Sequence, residues 1–365
     1  MSVEDKRQAV VRQIPFTFNT SAMVQKLAVV CGASEGWCWL DGEADGGWSY
    51  LGAASEVRVA ERGHEREFLS SLYTENEPKG NGFFGGWVLS LGYEFGVALL
   101  GLEPEPDEAA PGFALRIDTV LAVNEAEGRA ELRGPSEAAL DAWLLRFVGV
   151  LGAGAYESRP VKRTEPDTYE GDVTSRKFLQ HDDGWRHTDT VYRAQIERAK
   201  LAIAEGDAYV LCLTDTATLR GEFDPLELYL RLREHGAAIR GGVIVTGDRA
   251  LVSASPERFL SVQGGTVATH PIKGTRPRGS DPASDRDYAD ELANDPKELA
   301  ENLMIVDLMR NDLSRVCMPK SVRVDDFRRV ETHPHVHQLV STVSGELQAG
   351  LSACDVILAC FPGDL

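Results

Sequence analysis

The chain has 365 residues, 43% hydrophobic and 26% charged, enough apolar material to bury one large core or two smaller ones. Its 38 Lys and Arg against 57 Asp and Glu leave a formal net charge of -19, a field that repels polyanions and argues against nucleic-acid binding but not against a local cationic pocket for a small anion. The charged start MSVEDKRQAV has no apolar h-region, no later stretch is apolar for long enough to span a bilayer, and the six scattered cysteines contain no CxxC pair, which together point to a reducing cytoplasm.

From residue 25 to about 150, short apolar runs such as Leu27 to Val30 and Val120 to Val123 alternate with Gly-rich turns, which predicts a strand-rich first part with some helix. GFFGGWVLSLGYEF at 82–95 packs aromatics between glycines, and Phe83, Phe84, Trp87 and Tyr93 read as core residues. Residues 139–151 look helical, and the polar, aperiodic stretch 152–187 reads as a linker or crossing segment between a first region, 1–151, and a second, 188–365. Beyond it, Ile196, Ala199 and Ile203 recur at helical spacing with Gly206 as the stop. YVLCLTDTATL at 209–219 predicts a strand, and a helix follows around 224–234. The runs 242–246, 250–254 and 258–262, broken by Gly-Asp and Ser-Pro, predict an antiparallel meander. Residues 296–313 form the longest helix, with Asp295 as N-cap, Pro296 at its first position and Leu299, Leu303, Val306, Met309 and Leu313 as its buried stripe.

Three segments carry candidate chemistry. THPIKGTRPRG at 269–279 places Lys273 between an apolar residue and a glycine, with Arg276 and Arg278 close behind; burial and those charges would both favour a neutral, nucleophilic amine. A cationic surface turn is the plain alternative. In SASPERFL at 253–260, Pro256 fixes a turn before Glu257, which is either an edge charge or, if the flanking strands form a hairpin, an acid facing the same cavity as Lys273. On the helix, Glu298 and Glu301 lie three apart at the edge of the apolar row through Ile305, Leu308 and Asp312. Such acids are usually solvated, yet Mg²⁺ takes one or two carboxylates and leaves positions for water and ligand. His333, His335 and His337 alternate, but Pro334 interrupts them and no acid or cysteine supports a metal site there.

Together, GDAYVLCLT, SASPERFL, PIKGTRPRG, AENLMIVDLMRNDLSRV, VHQLVSTVSGEL and the terminal FPG resemble the chorismate-utilising enzymes from about Tyr192 onward, and FFGGWVLSLGYE resembles the family's N-terminal part. The resemblance implies an α+β fold with large mixed sheets and flanking helices. Lysine in PIKGT marks the aminodeoxychorismate branch, the aminating subunit or component I, where anthranilate synthases have alanine. It further implies that Lys273 attacks C2 of chorismate while Glu257 assists departure of the C4 hydroxyl, and that ammonia then adds at C4 and releases the lysine. Gly274 and Thr275 would line the ring pocket, and Glu301, with Glu298 behind it, would hold Mg²⁺ against the substrate carboxylate. Nothing in the chain resembles a glutaminase, so the ammonia would come from a separate glutamine amidotransferase or from solution. The product would serve p-aminobenzoate and hence folate, or a specialised metabolite.

The sequence also departs from the family. GAAIR at 236–240 replaces the proline-rich tryptophan-binding element, and Gly47 stands where an arginine precedes Trp48 and Ser49. Val210 replaces a glutamine or glutamate, and Gln338 a histidine. Relatives continue after FPG with a GSITGAPK motif and further strands, whereas this sequence reads FPGDL, so the expectation is a catalytic region incomplete at its C-terminus. Anthranilate synthase and an inactive fragment stand as the alternative readings.

Overall fold

The computed structural model describes residues 9–15, 19–32, 35–42, 46–73, 82–104, 110–151, 185–208, 210–218, 221, 223–234, 240–333 and 335–362. The chain forms two compact units, Met1–Ala153 with Asp224–Asp364 and, separately, Gly154–Phe223. Residues 152–184 of the expected linker, and 236–239, lie outside the described residues.

The first unit is α+β, as the resemblance implies. Its largest sheet has seven strands in the order β1-β8-β7-β3-β2-β9-β10. These are β1 Val10–Ile14, β2 Trp37–Leu40, β3 Trp48–Ala53, β7 Val120–Asn124, β8 Arg129–Gly134, β9 Arg240–Thr246 and β10 Arg249–Ser255. β9 and β10 come from beyond residue 187, and β9 pairs with β2. One face of this sheet is covered by α1 (Thr20–Cys31), α4 (Glu137–Leu151) and α6 (Pro225–Glu234) around a core that includes Leu27, Trp39, Leu121, Trp143 and Tyr229. The apolar run Leu27 to Val30 is therefore helix rather than strand. Asn19 decides it, its side chain accepting from the Ala22 amide as an N-cap. On the other face, Tyr50, Ala122 and Ile244 pack against Val88, Leu115 and Ile117 of a small sheet in the order β4-β6-β5, made of Glu56–Val59, Gly112–Ile117 and Gly86–Leu91 respectively. Helices α2 (Glu65–Ser71) and α3 (Tyr93–Leu99) close that sheet's outer face through Phe68, Leu69 and Phe95, with Trp87 packed beside them. Phe83 joins the core and Phe84 lies against Arg133, but Tyr93, read from the sequence as core, is 59% exposed.

The remaining sheet carries the sequence's chemical motifs. Its strands are β11 Arg258–Gln263, β12 Thr266–His270, β13 Ile272–Pro277, β14 Arg323–Thr332 and β15 Val336–Glu346. β12 and β13 follow one another along one edge of β15, β14 lies on its other edge, and β11 flanks β12. Every pairing among the described strands is antiparallel. The expected three-strand meander thus breaks after β10: Pro256 has no N–H for a ladder, and the chain crosses there from one sheet to the other. Two helices, α7 (Pro282–Asn294) and α8 (Pro296–Ser314), pack on this sheet, and α9 (Ala353–Cys360) packs on α8. α8 starts as the sequence predicts, with Asp295 accepting from the Lys297 and Glu298 amides and Pro296 at its first position. Its buried stripe is rotated from the expected one: Asn302, Ile305, Val306, Met309 and Leu313 are buried, while Leu303 is 49% exposed. Asn302 takes the inward position because it receives the Ser341 hydroxyl at 2.6 Å.

In the second unit, α5 (Asp189–Glu205) is capped by Thr188 and stopped by Gly206 in the left-handed conformation, as its spacing predicts. The strand expected over 209–219 is not formed among the described residues, which show only an isolated bridge between Trp185 and Ala217. High β-propensity alone does not make a strand where no ladder partner lies alongside.

Candidate active site

Lys273 and Gly274 sit in a bulge. Ile272 pairs with Val340 and Thr275 with Gln338, so two β13 residues oppose the single Leu339. A bulge breaks the ladder and re-aims the side chains it carries, and Gly274 supplies the φ of +93° that a side chain would resist. A Cβ built on Gly274 would meet Leu292 Cδ1 at 2.9 Å and Glu298 Cβ at 3.1 Å, so glycine is also what lets α7 and α8 close on the bulge. Lys273 is half-buried, and among the described residues its ammonium has no ion pair or hydrogen bond. Thr275 is exposed.

Glu257 reaches the backbone just ahead of this bulge. The crossing at Pro256 delivers it just ahead of β11, and its Oε1 accepts the Ile272 amide hydrogen at 3.0 Å. It thereby satisfies a backbone donor on the edge of β13 beyond the end of β11. Glu257 is thereby held at the backbone of the residue before Lys273.

The two arginines behind the lysine are held by acids. Arg276 bonds Glu291 at 2.8 Å, Asp295 at 2.7 Å and Glu298 at 3.4 Å, which raises the guanidinium pKa and fastens β13 to the α7–α8 junction. Arg278 grips Asp285 with two bonds of 2.8 Å, and the His337 ring lies 2.9 Å from the same carboxylate. The Arg278 bonds, the Gly279 amide and His337 hold the Asp285 carboxyl well below the usual carboxylate range. Sequence reasoning gave Arg276 and Arg278 to the lysine's electrostatics; the structure makes them anchors of β13. Sequence reasoning missed Asp285, although an acid at the start of a helix that follows two arginines is a readable signal for an ion pair, and it named His337 without its partner. Of the three alternating histidines, only His337 is buried; His335 is exposed on the turn between β14 and β15.

Glu298 and Glu301 lie one turn apart near the start of α8. Glu298 is 14% exposed beside Arg276, whereas Glu301 is 31% exposed and 3.5 Å from Lys297. Among the described residues no group of three or more His, Cys, Asp or Glu is gathered for a metal. Two adjoining hard carboxylates do suit Mg²⁺, which needs only one or two from protein. On β15, Gln338 is 6% exposed, and its side-chain oxygen lacks a hydrogen-bond partner among the described residues.

A family model described as chorismate binding enzyme matches residues 35–364. The chain belongs to the chorismate-binding enzymes. Among curated members of that family, aminodeoxychorismate synthase of Streptomyces pristinaespiralis is 37% identical over 286 residues, 76% of this chain and 38% of the relative. Aminodeoxychorismate synthase component 1 of Salmonella typhimurium is 42% identical over 172 residues, 47% of this chain and 38% of its own. The chain therefore spans well under half the length of these chorismate-binding relatives. The crystal structure of anthranilate synthase component I from Streptococcus pneumoniae TIGR4 superimposes with a TM-score of 0.64 at 21% identity, covering 99% of this chain and 74% of that one, and shows the shared fold. No helix among the described residues is long and apolar enough to cross a membrane.

Proposed function

We propose that this chain is the chorismate-binding part of an aminodeoxychorismate synthase, which aminates chorismate to 4-amino-4-deoxychorismate with ammonia from a separate glutamine amidotransferase subunit. The observations that support the reading are that Glu257 bonds the amide of Ile272, the residue before Lys273, and that Lys273 sits on its bulge without an ion-pair partner among the described residues. Lys273 Nζ adds to C2 of the ring and the electron pairs shift so that the C4 hydroxyl leaves with a proton from Glu257. Ammonia then adds at C4, the pairs shift back, and the lysine amine departs. One Glu257 oxygen stays on the Ile272 amide, which orients the other toward the leaving group. Gly274 and Thr275 line the ring pocket, with the glycine allowing close approach.

Glu301 would hold Mg²⁺ with Glu298 behind it, and the ion when bound supplies positive charge to a substrate carboxylate. The cytoplasm is the compartment that fits the free thiols of the six cysteines. The test is mass spectrometry of the protein after incubation with chorismate and Mg²⁺ without ammonia. A covalent adduct on the Lys273 peptide, absent in Lys273→Ala, is the expected result, and an adduct that survives the substitution removes the assignment. Product analysis separates para from ortho amination.

A further inference from the structure

A cavity of about 320 Å³ opens on the sheet face away from α8. Leu339, Ser341 and Val343 of β15 turn toward α8, Ser341 through its bond to Asn302, so Val340 and Thr342, which alternate with them, lie on the opposite face and line this cavity. Its apolar floor is Ile272 and Val340, flanked by Pro256. Around that floor stand three arginines from three different strands, Arg240, Arg258 and Arg329, against two acids, Asp326 and Glu331. Arg329 is ion-paired with Glu331. Arg258 has no ion pair or hydrogen bond among the described residues.

Such a cluster is unusual on a chain with a net charge of -19, because guanidinium groups facing one space repel each other unless an anion lies between them. His270, on the same wall with Nδ1 3.2 Å from the Thr342 hydroxyl, registers the field. Burial depresses its pKa first, and Arg258, Arg240 and Arg329 depress it further against the opposing pull of Glu331. The remaining groups on the wall are His333 and Asp326. Ligand cavities run from roughly 300 to 1,000 Å³, so this one suits a single small ring rather than a nucleotide. An apolar floor beneath a cationic wall selects an anion with an apolar body, since the ring can cover the floor while a carboxylate takes a guanidinium fork.

We propose that this cavity binds a small ring carboxylate, its carboxylate on Arg258 and its ring over Ile272 and Val340. Lys273, Glu298 and Glu301 do not line it, so the site does not depend on the aminating reading above.

Calorimetric titration with benzoate at low ionic strength tests it on the wild-type chain and on Arg258→Gln, Arg258→Lys and Lys273→Ala. Losing a charge-assisted fork should weaken benzoate binding about tenfold or more in Arg258→Gln. Arg258→Lys, which keeps the charge, should fall between, Lys273→Ala should bind like wild type, and acetate should bind more weakly than benzoate because it covers no floor. NMR of the His270 ring should show its pKa rising when benzoate enters, as the anion offsets the arginines. Absence of benzoate binding at millimolar concentration, equal affinities for wild type and Arg258→Gln, or binding lost in Lys273→Ala and kept in Arg258→Gln would each overturn the proposal. Should Arg258→Gln fail to fold, the lysine variant and the His270 titration decide it alone.

Discussion

The Glu257 carboxylate accepts a 3.0 Å hydrogen bond from the Ile272 amide, so the acid is fixed to the backbone one residue from Lys273. Two roles share this one side chain. It completes the hydrogen bonding of a strand edge, and under the proposed function it would also present its second oxygen to the substrate of Lys273. Glu257→Gln separates them, because the amide oxygen still accepts from Ile272 while the transferable proton is gone. Turnover of chorismate should fall by about 10²- to 10⁴-fold, the span of general acid catalysis, with stability changed by less than about 0.5 kcal/mol. Glu257→Ala should also lose about 1 kcal/mol of stability along with the hydrogen bond. Steady-state kinetics and urea unfolding on the same preparations check both. A fully active Glu257→Gln would leave the residue a structural role only.

Gly274 tests the bulge. Its φ of +93° and the 2.9 Å approach of Leu292 leave no room for a methyl group, and the neighbouring contact is Glu298 at 3.1 Å. Gly274→Ala should cost about 1–2 kcal/mol from the backbone conformation alone and more from the clash. Because the displaced neighbour is Glu298, the Mg²⁺ concentration needed for half-maximal activity should rise as well. Urea unfolding with no loss of midpoint would mean that the bulge relaxes without cost.

What the sequence made legible was local. The start of α8 could be read because an N-cap and a proline are properties of adjacent residues, whereas the bulge at Lys273-Gly274 was not read, although glycine inside a strand often marks one. What remained hidden depended on partners far along the chain. Pro256 announced a break but not that β11 would leave the sheet of β10 for another, and it is this crossing that delivers Glu257 to Ile272. The inward turn of Asn302, with Leu303 left outside, follows from Ser341 39 positions away and not from any hydrophobic period on α8. Arg276 and Arg278 misled for the same reason: proximity in sequence to Lys273 suggested an effect on it, whereas their carboxylate partners come from α7, its end and α8.

The Asp285 carboxylate gives the fold a defined acid response. Its pKa is depressed in the folded chain, chiefly by the Arg278 hydrogen bonds, so it contributes stability that is fully present above the unfolded value of about 3.9 and is lost as pH falls from there toward the lower folded value. Asp285→Asn should therefore be less stable than wild type at pH 6 by a margin that stays constant down to about pH 5 and then shrinks below about pH 4. Urea unfolding at a series of pH values reads the margin directly. A margin that grows on acidification would reverse the sign and exclude this carboxylate as the source.

Glu301 and Glu298 should respond differently to charge removal, because the structure holds them differently. Among the described residues Glu301 is paired only with Lys297, a lysine 74% exposed and one turn earlier on the same helix, and an exposed pair of that kind contributes roughly 0–1 kcal/mol. A dication can take the Glu301 carboxylate at little cost. Glu298 lies against Arg276, which is 17% exposed and also binds Glu291 and Asp295, so releasing it would disturb the anchor of β13. In Glu301→Gln the shape is kept and the charge lost, and the Mg²⁺ midpoint of chorismate turnover should rise at least about tenfold, since a hard dication binds charge rather than amide dipole. In Glu298→Gln the midpoint should move less while stability falls, as Arg276 loses one of its three acids. Asp307→Asn, on the same helix but 77% exposed, is the control and should leave both quantities unchanged. Superimposable Mg²⁺ titrations for Glu301→Gln and Asp307→Asn would mean that the ion, if the protein uses one, is held somewhere other than the start of α8.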